Sequence, residues 1–401
     1  MGQRILTDWI SAYLKYTENT EPNTNYHLWC AISALAAALE RKVYFQCGKQ
    51  KLFPNFYIVL VGDAGWTRKG TAIDHVRPIL EETSVNTMSG AITMEKLSRR
   101  LNDAVTTFDD PSDNMIKSHC SVTFISPELQ VFLREKNVDL LARLTDLYDC
   151  PDPWIYDTKN SGTDYVRGSF FNLLAATAPD WIKSMLPDPA IGGGFTRRII
   201  WVVEEDKRTI PFPDVDKDLE KKLISDLQMI NRNMRGAITF TDEAKDVYEN
   251  WYLYQDEAYR KGDLAILDPR FSGYCATRAT LLRKLSMICS VSEGSSMQIT
   301  PHHFHRAKKL LEQTEKKMPR AFQALGQARY AHAIEQIFSF IVHRGRAERK
   351  EILRFMYRDI DEATYNVAIT TLQRMEAIDV TMDGKKEIIT LKDGASDILN
   401  P

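Results

Sequence analysis

Apolar positions recur at helical spacing over the first 50 residues. Ile5, Leu6, Trp9, Ile10, Tyr13 and Leu14 mark one amphipathic helix. A second helix is predicted from about Asn25 to Arg41, apolar on nearly every face and therefore buried, followed by a short extended piece at Lys42–Gln46. From 55 to 205 the pattern changes. Phe56–Val61 is an unbroken apolar run of the kind covered on both faces in a parallel sheet. Helices are expected at Ala72–Glu82 and Met94–Ala104. Strands are expected at Ser121–Ile125 and Phe170–Ala176, each leading into a helix, from Pro127 and Pro179 respectively. A last strand follows at Arg198–Val203. This β–α alternation predicts a three-layer α/β domain around a mostly parallel sheet. Asp109–Ser118 and Asp149–Gly168 are rich in Pro, Gly, Asp and Ser and are expected as surface loops, either projecting into a pore or simply crossing the surface.

Residues 206–328 read as a helical lid. Pro211-Phe212-Pro213 breaks the chain, Thr241-Asp242-Glu243 starts a helix, Arg278–Ser290 is amphipathic, and Thr300-Pro301 starts a helix through Lys317. Residues 329–401 predict helices at Tyr330–Val342, Ala347–Tyr357 and Asp361–Glu376. A hairpin, Ala377–Val380 with Glu387–Leu391, then turns at Asp383-Gly384, which is the element order of a winged helix. The expected organisation is thus an N-terminal helical region (1–50), an α/β core (51–205), a helical lid (206–328) and a winged helix (329–401).

The chemistry concentrates at Phe56–Thr71, where a strand feeds a glycine-bearing turn and Arg68-Lys69-Gly70-Thr71 opens a helix. Strand, Gly loop, Lys, hydroxyl and helix, in that order, build a cradle for nucleotide phosphates. Gly62 and Gly65 shape the loop, Arg68, Lys69 and Gly70 border it, and Thr71 offers a hydroxyl to Mg²⁺. The spacing departs from G-x-x-x-x-G-K-[ST]: Gly62 stands one place too far from Lys69, Arg68 replaces the second Gly, and Gly70 intervenes before Thr71. The competing reading is an ordinary Gly-rich turn. Basic residues at a helix N-terminus oppose its dipole, however, and a bound polyphosphate supplies a reason for two of them.

Ser126-Pro127-Glu128 ends a buried strand, and Glu128 is the candidate to polarise water; the alternative is a capped helix start with Ser126 as cap. Thr177, at the end of the Phe170–Ala176 strand, either senses the γ-phosphate or caps the next helix, with Asn172 the fallback. Gly192-Gly193-Gly194 precedes Arg197 and Arg198. Arg198 is the candidate to reach a neighbouring subunit's phosphates, with Arg197 in reserve and a solvated pair as the bland alternative. Arg278, and equally Lys284, either faces nucleotide from the lid or is an ordinary exposed side chain. His302, His303 and His305 lack companion ligands for a metal. Arg344, Arg346, Arg349, Lys350, Arg354, Arg358, Arg374, Lys385 and Lys386 either contact nucleic-acid phosphates or form a solvated face.

Composition narrows the class. The 401 residues are 44% hydrophobic and 26% charged, as in globular chains, and the net charge of −2 gives no global field for nucleic acid or membrane. The six cysteines form no C-x-x-C pair, which fits reduced thiols and a cytoplasmic protein. The longest apolar stretch, His27–Leu39, is too short for a bilayer, so no membrane association is expected.

The order of parts resembles the helicase-like P-loop ATPases of phages, plasmids and integrated elements, which are often fused to primases. The likeness spans most of the chain. Tyr26-His27-Leu28-Trp29 through Arg41-Lys42-Val43 is similar to that family's lead-in, and Leu52–Tyr57 with Arg68-Lys69-Gly70-Thr71 to its atypical phosphate loop. Ser126-Pro127-Glu128-Leu129 falls where the family has Asp-Glu-Leu. Leu174–Pro179 and Gly194-Phe195-Thr196-Arg197-Arg198 match its sensor strand and its Gly-Phe-x-x-Arg segment. The resemblance implies an AAA+ or RecA-like core binding ATP and Mg²⁺ and a homo-oligomeric ring, a hexamer. It implies action on single-stranded or forked DNA in replication, with a primase or replication initiator as partner. It leaves open a non-translocating loader and a catalytically dead DNA-binding scaffold. Pro127, in place of the acidic residue, and the longer loop put vigorous turnover in question.

Overall fold

The computed structural model describes residues 4–134, 137–158, 162–187, 190–322, 331–356, 362–384 and 386–392. The chain divides into two compact units, Met1–Phe322 and Gln323–Pro401. The regions expected at 1–50, 51–205 and most of 206–328 pack together as the first.

That unit opens with α1 (Trp9–Tyr16) and α2 (Thr24–Leu39), each capped by a side chain, Asp8 and Asn23. Strands β1 (Val43–Cys47) and β2 (Gln50–Leu52) form a hairpin, and β3 (Tyr57–Val61) leads into α3 (Lys69–Glu81). Next come β4 (Thr87–Met88), α4 (Met94–Asp103), β5 (Val105–Asp110), β6 (Met115–Ser126), α5 (Leu129–Leu133) and α6 (Val138–Tyr148). Then follow β7 (Trp154–Thr158), β8 (Gly162–Val166), β9 (Ser169–Thr177), α7 (Pro179–Met185) and β10 (Ile199–Val203). The remainder is α8 (Lys217–Asn233), β11 (Gly236–Ala237), β12 (Thr239–Phe240), α9 (Asp242–Arg260), α10 (Ser272–Glu293), β13 (Gln298–Ile299) and α11 (Pro301–Glu315).

The main sheet has six strands. Five are parallel in the order β10-β3-β9-β6-β4, and β5 pairs antiparallel with the first half of β6. Every residue of β3, β9 and β10 is buried, so the apolar run that predicted a doubly covered strand is one. Side chains alternate across the sheet. Phe56 meets the Trp29 ring of α2 on one face, while the Tyr57 hydroxyl donates to the Leu144 carbonyl of α6, at 2.6 Å, on the other. Helices therefore flank both faces of a mixed α/β unit. Helix α2 is buried from Tyr26 to Leu39, which makes the lead-in one wall of the core rather than an appendage.

Two expected loops are hairpins. Asp109–Ser118 lies in β5–β6, with the Asp110 carboxylate accepting from Ser112 N at 3.0 Å and from Ser112 Oγ at 2.7 Å across the turn. Asp149–Gly168 contains β7–β8, whose Trp154, Tyr156 and Val166 are buried. Pro111, Ser112 and Asp113 fill the first turn, and Pro151, Asp152 and Pro153 stand just before the second hairpin, so averaging over each window hides its strand residues. The helix expected from Pro127 starts at Leu129, and β10 begins one residue after Arg198.

In the second unit a helix Ala331–Arg344 precedes a short strand β14 (Arg346–Glu348) and helices Arg349–Phe355 and Glu362–Arg374. Strands β15 (Ile378–Asp383) and β16 (Lys386–Leu391) form the expected hairpin, with Gly384 at φ +63 in its turn, and β14 pairs with β16. Ile337, Ile341, Ile352, Tyr365, Leu372 and Ile389 centre its own core.

Candidate functional site

The loop after β3 is shaped by crowding at Gly62. A Cβ there would lie 2.6 Å from Glu204 O and from Thr67 Oγ1, and closer still to Tyr26 Oη, so only glycine fits. The Gly62 amide faces the Thr177 carbonyl of β9 at 3.4 Å. Gly65 uses a different property of the residue: φ is +72, with open space around its Cβ position. Thr67 is buried and returns to the Asp63 carbonyl through its hydroxyl at 3.1 Å. Arg68 then takes a left-handed conformation, φ +56, and no side chain caps α3 behind it. Such a conformation costs a non-glycine residue about 1–2 kcal/mol, and strain of this kind collects at binding sites.

The register shows which residues share this end of the sheet. Val61 pairs with Thr177, and Ser126 of β6 pairs with Ala175, so Glu128 stands level with the loop. Where a Cβ on Gly70 would sit, Pro127 Cβ is 3.5 Å away, which packs the end of β6 against the first turn of α3. Burial lowers the pKa of Lys69, while the charges of Glu128 and Asp63 act in the opposite direction; the three groups share one electrostatic site. The Lys69 ammonium donates to the Asp63 carbonyl at 3.3 Å. Thr71 is exposed on the first turn of α3. Around the rim, Arg68 pairs with Glu21 at 3.0 Å, Lys207 bonds the same carboxylate, and the Lys207 ammonium lies 5.7 Å from the Trp66 ring centroid.

The capping alternatives do not form. Thr177 is buried with its hydroxyl 3.3 Å from the Ala178 carbonyl, and α7 has Ala178 as N-cap with no side-chain bond. Ser126 Oγ meets Glu128 N, at 3.3 Å, ahead of a helix whose N-cap is Glu128.

Other expected residues stand elsewhere. Arg198 is on the opposite rim of the sheet. Ile199 pairs with Tyr57, four pairings before Val61, and strand rise sets the guanidinium's end of β10 about 16 Å from the loop. There Arg198 bonds Asp149 at 2.6 Å and the Gly194 carbonyl at 2.8 Å. Arg197 packs its stem beneath Gly273 of α10. Arg278, expected to face nucleotide, is corrected to a structural role. It is buried, bonds Glu315 at 2.6 and 2.8 Å through two nitrogens, and bonds Gln255 through the third. Asn172 is likewise structural: its carbonyl oxygen accepts from Phe56 N at 2.9 Å and its amide reaches Ser33 of α2. Lys284 is buried against Asn55 at 2.8 Å and the Tyr148 ring at 3.9 Å. His303 closes a capping box with Thr300.

In the second unit four of the seven expected basic residues that are described are paired. Arg344 meets Glu351, Arg346 meets Asp383, Arg349 meets both Glu362 and Glu387, and Lys386 meets Glu348. Lys350, Arg354 and Arg374 are exposed, while Arg358 and Lys385 lie outside the described residues.

Tyr26, Asp63, Glu204 and Lys207 also belong to the site and were not among the expected site residues; Glu204 and Lys207 carry no local motif, and Asp63 lies within the loop itself. Tyr26 lies within the quoted Tyr26-His27-Leu28-Trp29, and its polar tip on an otherwise apolar buried helix was the available signal. No protein-family model matches the chain, and no curated protein does either. No helix among the described residues is long and apolar enough to cross a membrane.

Proposed function

We propose that the chain is an ATP-hydrolysing motor that works as a ring on DNA. The reading is carried by one observation: Lys69, Glu128 and Thr177 converge at the C-terminal ends of three adjacent parallel strands, around a loop whose glycine cannot be replaced. Ligands of open parallel sheets bind at that end. The loop amides and Lys69 hold the β- and γ-phosphates, Glu128 orients and polarises the attacking water, and the Thr177 hydroxyl reads the γ-phosphate. The Thr71 hydroxyl with the carboxylates of Asp63 and Glu128 is an all-oxygen donor set suited to Mg²⁺, which when bound neutralises phosphate charge. Arg198, remote from its own subunit's loop and on the opposite rim, suits delivery to a neighbour's site across a ring interface, a hexamer in the simplest arrangement. DNA, and a primase or initiator as partner, follow from the resemblance and from the exposed Lys350, Arg354 and Arg374.

The test is ATP turnover with and without single-stranded DNA. Wild type hydrolyses ATP, Lys69→Ala loses binding, and Glu128→Gln binds without turnover. Equal turnover in all three sinks the reading. A second reading, a nucleotide-binding scaffold or loader without a hydrolytic cycle, is favoured by Pro127, which leaves the strand end one carboxylate short. Nucleotide binding with no turnover in wild type selects it.

A further inference from the structure

At the open edge of the main sheet, beside β4, a cavity of about 220 Å³ is lined by Arg77 of α3, Lys96 and Arg100 of α4, and the hydroxyl residues Thr87 and Ser89, with Glu81 the one carboxylate. Three cations against one anion in so small a space repel one another unless something negative joins them. Several cations on this unit's helices pair within a turn or so, as in Arg143–Asp139, Lys245–Asp242 and Lys261–Glu257, and among the described residues others, such as Lys222 and Lys309, stand singly in solvent. Here Lys96 and Arg100 have no ion-pair partner among the described residues. Arg77 has only Asp74, at 3.9 Å, and its Nε and Nη2 are shielded from solvent without an acceptor. An ionic donor left unsatisfied is costly, and a guanidinium not tied down by acceptors is free to turn onto one.

We propose that this cavity is an oxyanion site that takes a phosphate group, with Arg77 and Arg100 as guanidinium forks, Lys96 as a point charge, and Thr87 and Ser89 as hydroxyl donors. It is separate from the loop after β3. Arg77 stands eight residues beyond Lys69, about 12 Å along α3, so one polyphosphate held by the loop does not fill both. Glu81 restricts the site to ligands that outcompete a single carboxylate. The phosphate comes either from a small free anion or from the backbone of a nucleic-acid strand laid along the sheet edge.

The experiment uses the full chain carrying Lys69→Ala, so that the outcome does not depend on the nucleotide reading. Two probes are titrated, inorganic pyrophosphate by calorimetry and a fluorescein-labelled single-stranded oligonucleotide by anisotropy at several salt concentrations. Adding Lys96→Gln and Arg100→Gln, both exposed and checked for an unchanged melting temperature, is expected to weaken binding about tenfold. For the oligonucleotide it also lowers the salt slope by about 1.4, two contacts at about 0.7 each on a single strand. Loss with both probes assigns the site to free phosphate chemistry, and loss with the oligonucleotide alone assigns it to a strand. If neither probe binds, or both bind the double variant as tightly as its parent, the proposal is overturned.

Discussion

The Tyr26 hydroxyl stands 2.7 Å from the Val61 carbonyl and 3.1 Å from the Glu204 carbonyl, which ties the buried helix α2 to the ends of β3 and β10 together. One hydroxyl carries one proton, so the shorter contact is the hydrogen bond and the longer one orients the ring. Tyr26→Phe keeps the packing and removes the donor. The expected result is a loss of about 1–3 kcal/mol in urea unfolding, the range for a buried acceptor left unsatisfied. A parallel weakening of nucleotide binding is expected, because the same atom bounds the loop at Gly62.

Gly62 and Gly65 serve different ends, and alanine separates them. Gly62→Ala drives a methyl into three oxygens and displaces the loop. Nucleotide affinity is expected to fall about tenfold or more, the equivalent of at least 1.4 kcal/mol. Gly65→Ala meets no neighbour and suffers only its positive φ, about 1–2 kcal/mol of strain, with affinity nearly retained. Equal effects in a fluorescent-nucleotide titration would contradict this assignment.

Arg278 and Glu315 form a buried pair, with side chains 5% and 4% exposed, so removing one partner strands a charge. Arg278→Met is expected to cost about 3–5 kcal/mol in a denaturation midpoint analysis. Arg278→Met with Glu315→Leu recovers most of that loss, and neither change alters nucleotide affinity in chains that remain folded. A loss of affinity in the well-folded double variant would restore Arg278 to the nucleotide site.

Lys284 makes stability depend on alkaline pH. Burial pulls its pKa down to about 8 from 10.5; Cys150 and Asp149 nearby oppose the shift and Arg198 adds to it. Between those two values the unfolded chain holds a proton that the folded chain has released, so this group's contribution to stability rises with pH. Lys284→Met removes it, while the titrations of groups remote from Lys284 stay common to both proteins. The unfolding free energy of wild type relative to Lys284→Met is expected to grow by about 2–3 kcal/mol from pH 7 to pH 10. A constant difference over that range refutes the mechanism.

What was legible along the chain was what local spacing encodes. Tyr57–Val61 announced a central strand because every position is apolar, and the Lys69 turn announced itself by its order of residue types. The hairpins β5–β6 and β7–β8 were hidden because breaker residues, Pro111 to Asp113 in the one and Pro151 to Pro153 ahead of the other, dominate a composition window. Arg278 was misread because its partner Glu315 lies 37 residues away, and an arginine on an amphipathic helix looks the same whether it meets a carboxylate or a ligand. The grouping of Arg77, Lys96 and Arg100 depends on how α3 and α4 meet at the β4 edge, and no spacing within either helix records it.

Helix α2 is complete by Leu39, yet its bed on the sheet includes β9, which ends at Thr177, and β10, which ends at Val203. On a ribosome adding 5–20 residues per second, an apolar helix therefore waits about 10–30 seconds for the surface that shelters it. During synthesis the last-arriving strands thus decide when that greasy rod is covered, and truncations ending before Val203 are expected to aggregate.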